Sequence, residues 1–152
     1  MNIEWQCTPF EKLTPHDLYA AMQIRQRVFI IEQTCIYMDA DGSDQHAHHL
    51  FGWTSEGGPR RLIAYARLFP PGIKFEQASI GRVSTHPDAR GTGAGKELMR
   101  EAIECVENAR WGTAIRIAAQ MYLEAFYEGF GFTRVNDPYL EDDIWHVDMV
   151  RD

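Results

Sequence analysis

Three glycines at every second position, in Arg90-Gly91-Thr92-Gly93-Ala94-Gly95, separate a strand-like run from an amphipathic helix pattern. Upstream, Ala78 to Thr85 reads as a strand, and Pro87 ends the run. Downstream, Leu98, Met99, Ala102, Ile103, Cys105 and Val106 mark one face of a helix that runs to about residue 109, with Gly112 just past its end. Glycines let the backbone turn sharply and approach a ligand closely. The first N–H groups of the helix then face outward, and the helix dipole adds to their attraction for anions. Arg90 and Lys96 add formal positive charge. The segment from Arg90 through Gly91, Thr92, Gly93, Ala94 and Gly95 to Lys96 therefore predicts a seat for a diphosphate.

The spacing narrows the choice of diphosphate. A nucleoside-triphosphate loop needs G-x-x-x-x-G-K-[ST]. Gly91 to Gly95 is one residue short of that, and Glu97 stands where a metal-binding Ser or Thr should be. A dinucleotide turn needs G-x-G-x-x-G near the first strand of a βαβ unit. Here the spacing is G-x-G-x-G and the site is mid-chain. Both readings fit badly.

The rest of the chain predicts one sheet with helices. Residues 3–7 form a short strand, and Thr14-Pro15 opens a helix with Leu18, Ala21, Met22, Val28 and Phe29 at helical spacing. Residues 33–46 are polar and acidic and read as a loop. Strands follow at Leu50–Trp53 and Leu62–Phe69, then, after the glycine loop and its helix, at Ala114–Ala118. A short helix at Glu124–Gly129 precedes the last strands, Phe132–Val135 and Ile144–Val150. This order predicts an α/β (α+β) fold with a mixed sheet, in a single domain over residues 2–152. The net charge of -7 opposes a nucleic-acid partner. Cys7, Cys35 and Cys105 form no framework and read as free thiols. The N-terminus lacks a signal-peptide pattern and no run approaches a membrane span, so a cytoplasmic protein with no membrane partner is expected.

The pattern Arg-Gly-x-Gly-x-Gly after a strand and a proline resembles the signature of the GCN5-related N-acetyltransferases (GNAT), [QR]-x-x-G-x-[GA]. A second match, Ala125-Phe126-Tyr127-Glu128-Gly129-Phe130-Gly131-Phe132, is similar to the family's A-x-x-F-Y-x-x-x-G-F segment at its Phe-Tyr and Gly-Phe positions. The resemblance implies that the loop binds the pyrophosphate of coenzyme A and that acetyl-CoA is the co-substrate. It implies a sheet splayed between the fourth and fifth strands, with the pantetheine arm in the gap against Val83, Ser84 and Thr85. A backbone N–H there would polarise the thioester carbonyl. It also implies that Tyr127 is the general acid. A phenol, with a pKa of about 10, stays protonated at neutral pH and can protonate a departing thiolate.

The N-terminal half resembles the ElaA-like acetyltransferases at Arg25-x-x-Val28-Phe29-Ile30-x-Glu32-Gln33, Tyr37 and Asp39-x-Asp41-Gly42, and later at Gly81-Arg82-Val83 and Gln120. A related pattern occurs in acyl-homoserine-lactone synthases, so the acceptor is left as an amine of unknown identity. A homodimer, a non-catalytic acyl-CoA-binding module and a lactone synthase all stay open. The amine must lose a proton, and Glu32 and then His49 are the expected bases. His48 and His49, on adjacent strand positions, should point to opposite faces and not share an ion. No metal is expected. The run Asp39-Ala40-Asp41-Gly42-Ser43-Asp44 fails the EF-hand pattern and reads as a solvated loop or as a collar for a cationic acceptor. Arg82, flanked by apolar residues, needs a partner if buried, and Glu32 or a neighbouring acid is expected to supply it.

Overall fold

The computed structural model describes every residue from Met1 to Asp152. β1 (Glu4–Pro9), β2 (His48–Thr54), β3 (Arg61–Phe69) and β4 (Ala78–Thr85) lie side by side as antiparallel neighbours. β5 (Ile115–Gln120) runs parallel to β4, and β8 (Ile144–Arg151) runs antiparallel to β5. β6 (Thr133–Arg134) and β7 (Tyr139–Glu141) both pair with the far edge of β8. The fold is thus a mixed α/β sheet with one parallel step. A parallel step requires a crossover, and α2 (Ala94–Asn108) supplies it. α1 (Pro15–Arg25) begins with the Thr14 side chain accepting from the Asp17 N–H and Pro15 in the first turn. It continues as π-helical turns over Gln26–Glu32. α3 (Glu124–Glu128) follows β5.

Both faces of the central strands are covered, which is why β3 is buried at every position after Arg61. On one face, Leu98, Met99, Ala102 and Val106 of α2 meet Ile63, Leu68, Ile117 and Met149 in a core of 21 buried residues. On the other, Ala21, Ile24 and Val28 meet Phe51, Trp53 and Tyr65 in a core of only seven. The expected Leu18 and Met22 are only half-buried, while Ile24 and Arg25 are fully buried.

The structure departs from expectation around β8. The strand expected over 132–135 shrinks to Thr133–Arg134, and β7 is an additional strand. β7 and β8 form a hairpin whose turn, Asp142-Asp143, has positive φ at both residues (51° and 62°). That is the handedness of a two-residue hairpin turn, and aspartate tolerates it better than most side chains. The hairpin's apolar cross-strand pair, Leu140 and Trp145, faces solvent, so it gives no buried-strand signal. No helix is long and apolar enough to cross a membrane.

Candidate active site

β4 and β5 pair only at their beginnings, Ala78 with Ile115 and Ser79 with Arg116. Beyond that point the two strands part. The local cause lies on the other side of β4. Tyr65 opposes Ser84 and Arg67 opposes Gly81, so three steps along β4 match two along β3. The extra residue is a bulge at Arg82, whose φ is +48°. A bulge bends and twists its strand, and here the bent part of β4 leaves β5. The gap opens into a cleft of about 940 Å³.

Val83, Ser84 and Thr85 border this cleft, as do Arg90, Gly95 and Tyr127. Gly91, Thr92, Gly93, Ala94 and Lys96 belong to the same loop but do not line the cleft directly. Gly91 and Gly93 have φ of +78° and +86°, with open space where a Cβ would stand. They are therefore demanded by backbone conformation and not by crowding. Gly93 caps α2 with no side-chain hydrogen bond, and Glu97 is the first residue to donate back to it, at 3.1 Å. The N–H groups of Ala94, Gly95 and Lys96 thus have no helical acceptor. The Glu97 carboxylate, which would compete with a phosphate there, instead accepts from the Trp5 indole at 2.9 Å.

Tyr127 is 6% exposed and packs edge-on against Phe126 and Phe132. Burial pushes its phenol well above the ordinary tyrosine range, so it stays protonated. Glu32 also borders the cleft, but both of its carboxylate oxygens accept from Arg90, at 2.6 and 3.1 Å. Arg90 additionally donates to the Thr85 carbonyl at 3.2 Å. His49 lies elsewhere. It is fully buried off the cleft, with Nδ1 2.7 Å from the Tyr65 hydroxyl and Nε2 2.9 Å from the Asp44 carbonyl. Burial lowers its pKa and holds it neutral. His48 turns to the other side of the sheet, edge-on to Trp111.

The acidic run is neither a solvated loop nor a free collar. Arg25 contacts Asp39 at 2.9 Å and Asp44 at 2.8 Å. Arg67 contacts Asp41 at 2.9 Å and Asp44 at 2.8 Å, and Lys74 reaches Asp41 at 3.4 Å. Arg82 donates to the Asp39 carboxylate at 2.8 Å, so its partner is Asp39 and not Glu32. Its guanidinium also lies over the Tyr37 ring, 5.4 Å from the centroid. Three aspartates thus meet three arginines and a lysine, and the local charge is not negative. Gln33 and Gln120 exchange amide hydrogen bonds, both 3.2 Å, which tie the π-helical segment to β5. No three His, Cys, Asp or Glu side chains are arranged to hold a metal ion.

The sequence agrees with this architecture. Residues 43–152 match the model of the acetyltransferase (GNAT) domain.

The chain belongs to the GNAT acetyltransferase family.

Among curated relatives of this GNAT protein, a UPF0039 protein of Synechocystis is 38% identical over 99% of this chain and 96% of its own. Protein ElaA of Escherichia coli is 36% identical over 99% and 97%. Among solved structures, an acyl-CoA N-acyltransferase from Pseudomonas aeruginosa superposes with a TM-score of 0.92 at 40% identity, covering 99% of this chain and 100% of that one. With this family in view, the residues that matched the ElaA-like pattern become contacts. Arg25 meets Asp39, Arg82 meets Asp39 and Asp41, and Gln33 meets Gln120.

Gly93→Ala tests the loop. A side chain in left-handed backbone costs about 1 kcal/mol, and relieving that strain moves the free N–H groups. Coenzyme A affinity is expected to fall about fivefold to tenfold by titration calorimetry, with an unchanged far-UV spectrum. Unaltered affinity would mean that the loop is not the phosphate seat.

Proposed function

We propose that the protein is an acetyl-CoA-dependent N-acetyltransferase that acetylates an amine, with Tyr127 as general acid. One observation carries the reading: the single cleft between the parted edges of β4 and β5 is bordered both by the glycine loop and by a buried, protonated phenol. The loop amides and Arg90 take the pyrophosphate. The free edge of β4 at Val83, Ser84 and Thr85 pairs with the pantetheine amides as an added strand would. Glu32, committed to Arg90, holds that guanidinium beside the loop.

The amine nitrogen attacks the thioester carbonyl carbon, and the C–N bond forms. The C–S bond then breaks, and the Tyr127 hydroxyl gives its proton to the sulfur. The sulfur leaves as a thiolate and carries full negative charge until a proton reaches it. A phenol held against the sulfur donates a hydrogen bond, and then its proton, as that charge develops, and solvent restores the phenol afterwards.

The test is a coenzyme A release screen with acetyl-CoA and polyamines, amino sugars, aminoglycosides and peptide N-termini. Release that depends on one class of amine supports the reading. Acetyl-CoA binding with no release across the panel would leave a binding module in its place.

A further inference from the structure

The reaction needs a group that takes a proton from the amine, and neither residue expected for it is available. Both Glu32 oxygens are bonded to Arg90, and His49 is sealed off the cleft. A different histidine meets the requirement. His146 borders the cleft and is 8% exposed. It stands opposite Gln120 across the β5–β8 ladder, and Gln120 also borders the cleft. The next residue, Val147, belongs to the same core as Tyr127, Ala119 and Phe132. Successive strand residues point to opposite faces, so His146 lies on the face away from Tyr127. Acid and base therefore reach the gap from opposite sides of the sheet.

The imidazole is also set in one tautomer. Its Nδ1 lies 2.7 Å from the Ile144 carbonyl oxygen. A carbonyl only accepts, so Nδ1 carries the proton and Nε2 keeps its lone pair. Nε2 lies 3.8 Å from a Glu141 carboxylate oxygen, and the ring stacks on Tyr139 with centroids 5.9 Å apart. Of the other acids nearby, the Asp148 carboxylate accepts from Arg116 and from the Tyr139 hydroxyl. Asp142 sits exposed in the hairpin turn, and only its backbone carbonyl is bonded, accepting from Cys35.

We propose that His146 is the general base that takes the acceptor amine's proton at Nε2, directly or through one water, as the amine attacks the thioester. The assignment rests on the acetyltransferase reading. As the C–N bond forms, the proton passes from nitrogen to Nε2, and the imidazolium is stabilised by the Glu141 carboxylate. As the C–S bond breaks, Tyr127 protonates the sulfur. Solvent then takes the proton from His146 and returns one to Tyr127, so the cycle is proton-neutral from the free amine, and the one proton released per ammonium acetylated is the one it loses to solvent on becoming the attacking amine.

The experiment compares wild type, His146→Gln and His146→Ala with an amine found in the release screen. His146→Gln is expected to bind acetyl-CoA within twofold of wild type and to lose about 10²- to 10³-fold in kcat. The part of the acid limb of the kcat/KM profile that comes from His146 should vanish, leaving only the ionisation of the amine itself. Added imidazole should restore part of the His146→Ala rate, an effect a structural role would not produce. Nitrogen NMR of the wild type should show the Nδ1–H tautomer, whatever the variants' stability. His146→Gln turnover within threefold of wild type with the acid limb intact, or an Nε2–H tautomer, overturns the assignment alone. If wild type binds acetyl-CoA but acetylates no amine, the acetyltransferase reading fails and His146 falls with it.

Discussion

Tyr127→Phe is expected to bind acetyl-CoA as wild type does and to turn it over about 100-fold more slowly, the scale of a lost general acid. The substitution keeps the ring that packs against Phe126 and Phe132 and removes only the oxygen. The fold should therefore be indifferent to it, and calorimetric affinity for acetyl-CoA should hold within twofold. The deficit should appear in kcat, because the role proposed for the hydroxyl is in thiolate departure and not in donor binding. Full turnover by Tyr127→Phe would remove the phenol from the mechanism and leave thiolate departure to solvent.

The largest effect on stability is expected from Arg25→Met. Arg25 is fully buried, paired with Asp39 and Asp44, and donates to the Asp39 carbonyl at 2.8 Å. Methionine fills much of the volume but takes one of two arginine partners from each of two mostly buried carboxylates. Removing one partner of a buried pair costs about 3–5 kcal/mol, to be read by urea denaturation at pH 7. The effect carries a pH signature. Burial disfavours the charged form of Asp44, but its bonds to Arg67 and Arg25 outweigh burial and lower its pKa. Its contribution is therefore full above the unfolded aspartate pKa of about 3.9 and fades as pH falls through the lower folded value. The gap between wild type and Arg25→Met should narrow correspondingly in acid. Arg25→Lys should rescue little, because one ammonium cannot replace a planar fork reaching three acceptors. A loss under 1 kcal/mol at pH 7 would show that Asp39 and Asp44 are held by Arg67 and Arg82 alone.

The glycine loop and the short helix that border the cleft were legible because their signals are local. The glycines from Gly91 to Gly95 need special backbone angles within one turn, and Phe126-Tyr127 lies on a single short helix. The β4–β5 gap was anticipated only through the family resemblance. Its physical cause, the bulge at Arg82, shows in the pairing of β3 with β4 and not in the composition of either strand. The acidic run on the cleft's other wall was read poorly for a different reason. Whether Asp39 is solvated or neutralised depends on Arg25 and on Arg82, which lies 43 residues away. Charge partners at such separation leave no spacing in the chain. His146 was passed over because nothing local distinguishes it from any strand histidine. Its place beside the cleft follows from the pairing of β8 with β5, and its tautomer from the Ile144 carbonyl.

The unequal cores on the two sides of the sheet bear on how such an enzyme changes its acceptor. The glycine loop opens α2, and α2 and Tyr127 are embedded in the larger core, where altering one side chain disturbs many neighbours. The wall made by the π-helical segment and the 33–44 loop rests on the smaller core, and its shape is fixed largely by a few ion pairs and one amide pair. Exchanging a pair there reshapes the wall while the donor machinery stands. The molecule is in effect a tightly packed engine with a replaceable fitting, and the fitting is secured by charge more than by packing.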